Sequence, residues 1–219
     1  MELTADQVER TGTVTMETRI GFGYDSHVFK TGVPLRIGGL ALDHPEGLAG
    51  HSDGDVLLHA ITDALLGAIA AGDIGTFFPP GDPRWKDADS AIFLNLAMET
   101  LQRAGYRIVN IDTTLILAAP KIAPLSGEMR SRVADLLSLG TDQVSIKAKT
   151  PEGLNLDHVA QCHAVVLIER VIEPEELKSM SAVIESQRQL EDVVEDLISS
   201  VHGIPKKRGG LIYDTEDIT

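Results

Sequence analysis

Thr18-Arg19-Ile20-Gly21-Phe22-Gly23-Tyr24-Asp25-Ser26-His27 is the stretch on which the reading of the fold turns. Thr18–Tyr24 is predicted to be the first β-strand, closed by Asp25-Ser26-His27. Further strand candidates are Leu35–Ile37, Asn110–Leu117, Gln143–Lys147 and Cys162–Arg170, each β-branched or alternating and bounded by Gly, Pro or Asp. Helices are expected between them. Asp53–Ala71 is rich in Ala and Leu, opens on cap-type residues and ends at Gly72; Ser90–Ala104 stops at Gly105, and Leu125–Leu139 stops at Gly140. Strands interleaved with helices imply an α/β (α+β) sandwich, a single sheet covered by helices.

The 219-residue chain is 43% hydrophobic and carries a formal net charge of −14, with 33 acids against 19 bases. Such a balance argues against nucleic acid, whose phosphates call for clustered Lys and Arg. No apolar run reaches the roughly 20 residues that span a bilayer, and Met1–Arg10 lacks the pattern of a signal peptide, so a cytoplasmic protein is expected. The lone Cys162 lies in an apolar stretch and is assigned a structural role. Residues 1–18, 19–170 and 171–219 contribute −3, −5 and −6 to the charge. The middle segment reads as the domain, residues 1–18 as a flexible extension or short flap, and residues 171–219 as an amphipathic helix with a tail. In that helix Leu177, Met180, Ile184, Leu190, Val194, Leu197 and Val201 recur at three- and four-residue steps, from Pro174 to near Gly203. Its stripe suits either a partner helix or the chain's own domain.

The chemistry concentrates at a few positions. In an extended chain Asp25 and His27, two apart, point to one face and present a carboxylate and an imidazole side by side. A polar strand end with an accidental histidine is the plainer alternative. His59, within the Ala/Leu-rich helix, changes the balance, because Asp55 and Asp63 lie one turn away on its face and can hold the second ring nitrogen. If the strand packs on this helix, Asp25, His27 and His59 supply one oxygen and two nitrogens, the donor set of a catalytic zinc site with a fourth position open. Gly50-His51-Ser52-Asp53-Gly54-Asp55 gathers polar groups at the helix start, a place suited to anions. Ala118-Ala119-Pro120-Lys121 offers a lysine, and Lys147-Ala148-Lys149-Thr150-Pro151-Glu152-Gly153 a hydroxyl and a carboxylate; Glu152 is a candidate ligand for a hard divalent metal beside a polyphosphate.

Taken with Gly72-Asp73-Ile74-Gly75 and Phe78-Pro79, these motifs resemble the 2-C-methyl-D-erythritol 2,4-cyclodiphosphate synthase family over about residues 19–170. The resemblance implies a homotrimer whose sheets face the threefold axis, with active sites between subunits. It implies closure of 4-diphosphocytidyl-2-C-methyl-D-erythritol 2-phosphate to the cyclic diphosphate with loss of CMP. It places Zn²⁺ at Asp25, His27 and His59, and Mg²⁺ or Mn²⁺ at Glu152 with the substrate's diphosphate. His51 and Ser52 would contact the erythritol or its phosphate, and Asp73, Ile74 and Gly75 the sugar hydroxyls, with Phe78 counted among the substrate contacts. Ala118–Ile122, including Lys121 and Ile122, and Ala148, Lys149 and Thr150 would hold the cytidine diphosphate, with Lys121 and Thr150 near its phosphates. Three departures stand out: Asn155-Leu156-Asp157-His158-Val159-Ala160 replaces a longer glycine-rich segment that lines the trimer axis, Lys149 stands where Thr is common, and Pro80 where an acid is common. A non-catalytic homologue and a metal-dependent hydrolase are the rival readings.

Overall fold

The structure is a computed structural model that describes residues 17–172 and 174–202. The expected N-terminal extension falls almost wholly outside the described residues, as does the tail beyond His202. The described residues divide into two units, one ending at Val171 and a second that begins at Ile172 and contains the C-terminal helix.

The larger unit runs β1 (Thr18–Thr31), β2 (Leu35–Ile37), β3 (Leu40–Leu42), β4 (Glu46–Leu48), α1 (Val56–Ala68), α2 (Ile74–Phe77), α3 (Ser90–Arg103), β5 (Tyr106–Ile116), α4 (Ser126–Leu137), β6 (Val144–Lys149) and β7 (Val159–Arg170), with 3₁₀ turns at Pro83–Trp85 and Thr141–Gln143. The main sheet has the order β4-β1-β7-β5-β6. Its β5–β6 pair is parallel and the other pairs are antiparallel, so it is a mixed sheet. β2 and β3 form a separate hairpin whose turn, Gly38-Gly39, has φ of 65° and 72°, as a two-residue turn with both central residues left-handed requires.

Helix α1 packs against β1, and two glycines set how closely. A Cβ on Gly21 would lie 1.8 Å from the Ala64 carbonyl oxygen, and one on Gly23 2.0 Å from that of Ala60. Only hydrogen fits there, so strand and helix backbones are in direct contact. Asp25 and His27 continue the same alternation and therefore point toward the same helix. The opposite face of β1 lies open: Ile20 is 71% exposed and Phe22 61%, with Tyr24, Val28 and Val165 of β7 beside them. Helices thus cover one face of the sheet in this subunit. Cys162 is fully buried on the covered face, where burial pushes its thiol pKa well up and keeps it protonated.

Several boundaries differ from expectation. β1 extends to Thr31, so Asp25 and His27 lie inside it rather than at its end. Pairing explains this: Asp25 sits opposite Cys162 and His27 opposite Ala160, and the ladder continues to Val28 before β4 takes over at Phe29. Helix α1 starts later than expected, because the Asp55 carboxylate caps it by accepting from the Leu58 amide. The left-handed residue that ends α4 is Ser138, with φ of 55°, while Gly140 instead opens the following 3₁₀ turn. Within the second unit, α5 spans Pro174–His202, close to the limits read from its apolar periodicity, and presents Val183, Leu190, Val193 and Val194 as exposed apolar side chains. Among the described residues no helix is long and apolar enough to cross a membrane.

Candidate active site

Three ligand atoms converge where β1 crosses α1. Asp25 Oδ2 lies 2.9 Å from His27 Nε2 and 2.9 Å from His59 Nδ1, and the two nitrogens are 3.2 Å apart. Burial works against the Asp25 carboxylate, yet its hydrogen bonds with His27 and His59 hold its pKa well below the ordinary carboxylate range. Burial opposes a charged His27 as well, but Asp25 raises its pKa. Among the described residues this is the His, Cys, Asp or Glu cluster able to hold a metal ion. Three donors held at about 2.0–2.1 Å from a tetrahedral zinc would stand roughly 3.3 Å apart, close to the triangle present. Two imidazoles and a carboxylate, with one side open, fit that ion.

The second nitrogen of His59 departs from expectation. Neither Asp55 nor Asp63 holds it. Asp55 is fully buried and accepts from the amides of Gly38, Gly39 and Leu58 at 2.9, 2.7 and 3.0 Å, tying the β2–β3 hairpin to the start of α1. Asp63 accepts from the Ile74 amide at 2.8 Å. Both carboxylates are thus taken up by backbone amides. His59 Nε2 instead meets two hydroxyls, Ser90 Oγ at 2.8 Å and Ser52 Oγ at 3.1 Å. In the sequence Ser90 carries only the signal of a helix start.

The neighbouring candidates fall into two groups. His51 is exposed, with Nε2 2.9 Å from the Asp82 carbonyl oxygen. Asp73 caps α2 by accepting from the amide and hydroxyl of Thr76, each at 2.8 Å, with Ile74 and Gly75 opening that helix; these bonds lower its pKa. Phe78 is buried in an aromatic cluster, 4.2 Å from Phe93 and 4.9 Å from Trp85 between ring centres. Across the sheet, a cleft of about 350 Å³ lies beyond the carboxyl ends of the parallel pair β5 and β6. Leu117, Ala118, Pro120, Lys121, Ile122, Ala123, Ala148, Lys149, Thr150 and Glu152 line it. Clefts outside the carboxyl ends of parallel strands are usual ligand sites in α/β proteins. The Thr150 hydroxyl donates to Glu152, whose backbone is left-handed at φ 52°.

Strand register relates the two places. Asp25 pairs with Cys162, Cys162 with Leu115 and Leu115 with Ala148, so metal corner and cleft lie in one row of the sheet. β7 and β5 separate them, about 14 Å at roughly 4.8 Å per strand. Glu152 does not join the Asp25, His27 and His59 cluster within the chain.

Residues 18–169 match the YgbB family. The 2-C-methyl-D-erythritol 2,4-cyclodiphosphate synthase of Koribacter versatilis is 60% identical over 152 residues, which cover 69% of this chain and 98% of that protein. The synthase of Moorella thermoacetica is 53% identical over 136 residues, 62% of this chain and 83% of that one. Among solved structures, a 2C-methyl-D-erythritol-2,4-cyclodiphosphate synthase in its CDP-bound form aligns with a TM-score of 0.65 at 41% identity, over 68% of this chain and 99% of that chain. A Plasmodium falciparum IspF–CDP complex aligns with a TM-score of 0.63 at 33% identity, over 70% of this chain and 97% of that one.

Proposed function

The chain belongs to the YgbB family, and from that premise we propose how its two half-sites perform the reaction of a cyclodiphosphate synthase. The enzyme is a lyase that closes 4-diphosphocytidyl-2-C-methyl-D-erythritol 2-phosphate into 2-C-methyl-D-erythritol 2,4-cyclodiphosphate and releases CMP. An oxygen of the 2-phosphate attacks the β-phosphorus, a new P–O bond forms, and the bond from that phosphorus to the bridging oxygen breaks, its electron pair leaving with CMP. The nucleophile is already ionised at neutral pH, so no side chain has to act as a strong base; the protein contributes alignment and charge.

In this reading Asp25 Oδ2, His27 Nε2 and His59 Nδ1 hold Zn²⁺, and Glu152 holds Mg²⁺ or Mn²⁺ together with substrate oxygens. When bound, the two ions supply positive charge at the β-phosphate and on the departing CMP. His51 and Ser52 orient the methylerythritol and its phosphate beside the metal corner. Asp73, with Ile74 and Gly75, receives the sugar hydroxyls, and Phe78 holds that loop against α3 from behind. Cytidine lies on Ala118–Ile122 and Ala148–Thr150. Lys121 reaches its phosphates as a point charge, and Lys149 and Thr150 flank them.

The observation that carries this reading is the triangle of ligand atoms at 2.9, 2.9 and 3.2 Å. A homotrimer acting in the cytoplasm completes it. Two features support assembly: the open apolar face around Ile20 and Phe22, and the two intervening strands that leave each subunit's metal corner short of its own cleft. Phosphorus NMR of the substrate with the purified enzyme, Zn²⁺ and Mg²⁺ tests the reading. Cyclic diphosphate and CMP are the expected products; linear phosphates would make the protein a hydrolase, and an unchanged substrate would overturn the activity.

A further inference from the structure

We infer that Asp53 and Ser90 form a positioning relay that sets which nitrogen of His59 is free to bind the metal. The inference rests on the reading of His59 as a ligand and adds two residues to which no role was assigned above.

Ser90 is completely buried at the first turn of α3. Its hydroxyl has a carboxylate on one side, where it donates to Asp53 Oδ1, and the imidazole on the other, 2.8 Å from His59 Nε2. A hydroxyl has one proton. Because the ionised Asp53 carboxylate can only accept, that proton goes to Asp53 and the Ser90 oxygen must accept from the ring. The proton of neutral His59 then belongs on Nε2, shared with Ser52 Oγ at 3.1 Å. That leaves the Nδ1 lone pair for a metal to take in place of the contact with Asp25 Oδ2, 2.9 Å away, with His27 Nε2 at 3.2 Å as a neighbouring donor. Metal-bound histidines characteristically have their other nitrogen fixed in this way.

Backbone bonds keep the relay in place. The Asp53 amide donates to the Ala88 carbonyl at 3.0 Å and the Asp87 amide to that of His51 at 2.9 Å, zipping together the loops before α1 and α3. Asp53 also accepts from the Ser90 and Asp55 amides, each at 3.2 Å. The dense polar run His51-Ser52-Asp53-Gly54-Asp55 thereby divides its labour: Asp55 caps α1 and clamps the hairpin, whereas Asp53 polarises Ser90.

Two substitutions separate this role from a structural one. In Asp53→Asn the side-chain oxygen can still accept from the Ser90 amide, while the NH₂ takes the place of Oδ1, gives up the Asp55 amide and donates to Ser90. The Ser90 hydroxyl then turns to donate to His59 Nε2 and drives the ring proton onto Nδ1. Zinc affinity, read by competition with a chelator, should fall about 10- to 100-fold while the melting temperature of the metal-free protein changes little. Ser90→Ala leaves Ser52 to take the Nε2 proton, so its loss should be smaller. ¹⁵N NMR of the neutral His59 ring in metal-free Asp25→Ala, where no carboxylate competes for Nδ1, should place the proton on Nε2, and on Nδ1 once Asp53→Asn is added. Equal zinc affinity of wild type and Asp53→Asn, or a proton on Nδ1 in Asp25→Ala, would overturn the relay. If Asp53→Asn does not fold, unchanged zinc affinity in Ser90→Ala overturns it equally. A wild-type protein that bound no zinc would refute the metal reading instead, and the tautomer of His59 in Asp25→Ala would still decide the relay.

Discussion

The Asp25–His27–His59 corner, proposed to hold a metal, and the cleft beyond β5 and β6, proposed to hold the nucleotide, share one row of one sheet yet are built in opposite ways. At the corner each group is tied from behind: Asp25 by two histidines, His59 by Ser52 and Ser90, and Ser90 by Asp53. At the cleft Lys121, Lys149, Thr150 and Glu152 stand exposed at strand ends. The difference follows from what each must bind. A small cation needs donors fixed to within a few tenths of an ångström, which takes backbone contact and hydrogen-bonded support. A nucleoside diphosphate can organise flexible loops and lysines on arrival.

Substitutions should expose that contrast, the corner failing outright and the cleft by degrees. His59→Ala removes a ligand and should abolish turnover and zinc content together while the protein stays folded; metal analysis showing normal zinc would break the assignment. Glu152→Gln should retain zinc but lose about 10²-fold in kcat, the scale of removing one group that stabilises developing charge. An unchanged kcat would take Glu152 out of the reaction. Gly23→Ala attacks the packing that brings the corner together, since the new methyl would meet the Ala60 carbonyl oxygen at 2.0 Å. We expect a loss of about 1–3 kcal/mol or more in denaturant unfolding, with zinc affinity falling alongside; wild-type stability would show that strand and helix can move apart freely.

The smallest effect is on pH. In metal-free protein the folded His27 has a pKa above its ordinary 6.5, so the stability it adds is complete below that value and is lost as pH rises through the folded one. Asp25 runs the other way: its pKa is depressed from 3.8, so its contribution is present above 3.8 and disappears only in stronger acid. Melting temperature of the metal-free protein should therefore decline as pH climbs past neutrality, whereas zinc affinity should rise because the metal must displace the His27 proton. A metal-free protein that gains stability over that range would contradict the Asp25–His27 pairing.

Much of this was legible from local pattern. The two-residue spacing of Asp25 and His27 already put them on one face, and the interleaving of apolar blocks already implied a sheet with helices. What could not be read depended on contacts between distant segments. Gly21 and Gly23 look like weak points of a strand until the Ala60 and Ala64 carbonyls are seen against them. His59 has carboxylates at helical spacing on its own face, but backbone amides claim both, and its support comes from Ser90, 31 residues away. Ser138 ends α4 in the left-handed conformation although Gly140 stands two residues on, because the cap satisfies the Ala134 and Asp135 carbonyls at that point. The Gly38-Gly39 pair is a hairpin signal legible in the sequence itself.

In the proposed trimer, corner and cleft complete each other between subunits rather than within one. Co-expression of His59→Ala with Glu152→Gln in equal amounts tests it directly. His59→Ala alone should be inactive and Glu152→Gln alone about 10²-fold slower, but mixed trimers pair the intact corner of one chain with the intact cleft of another, and random assembly should restore about one quarter of the wild-type rate. Mixed protein no more active than its parents would mean that each chain closes its own site.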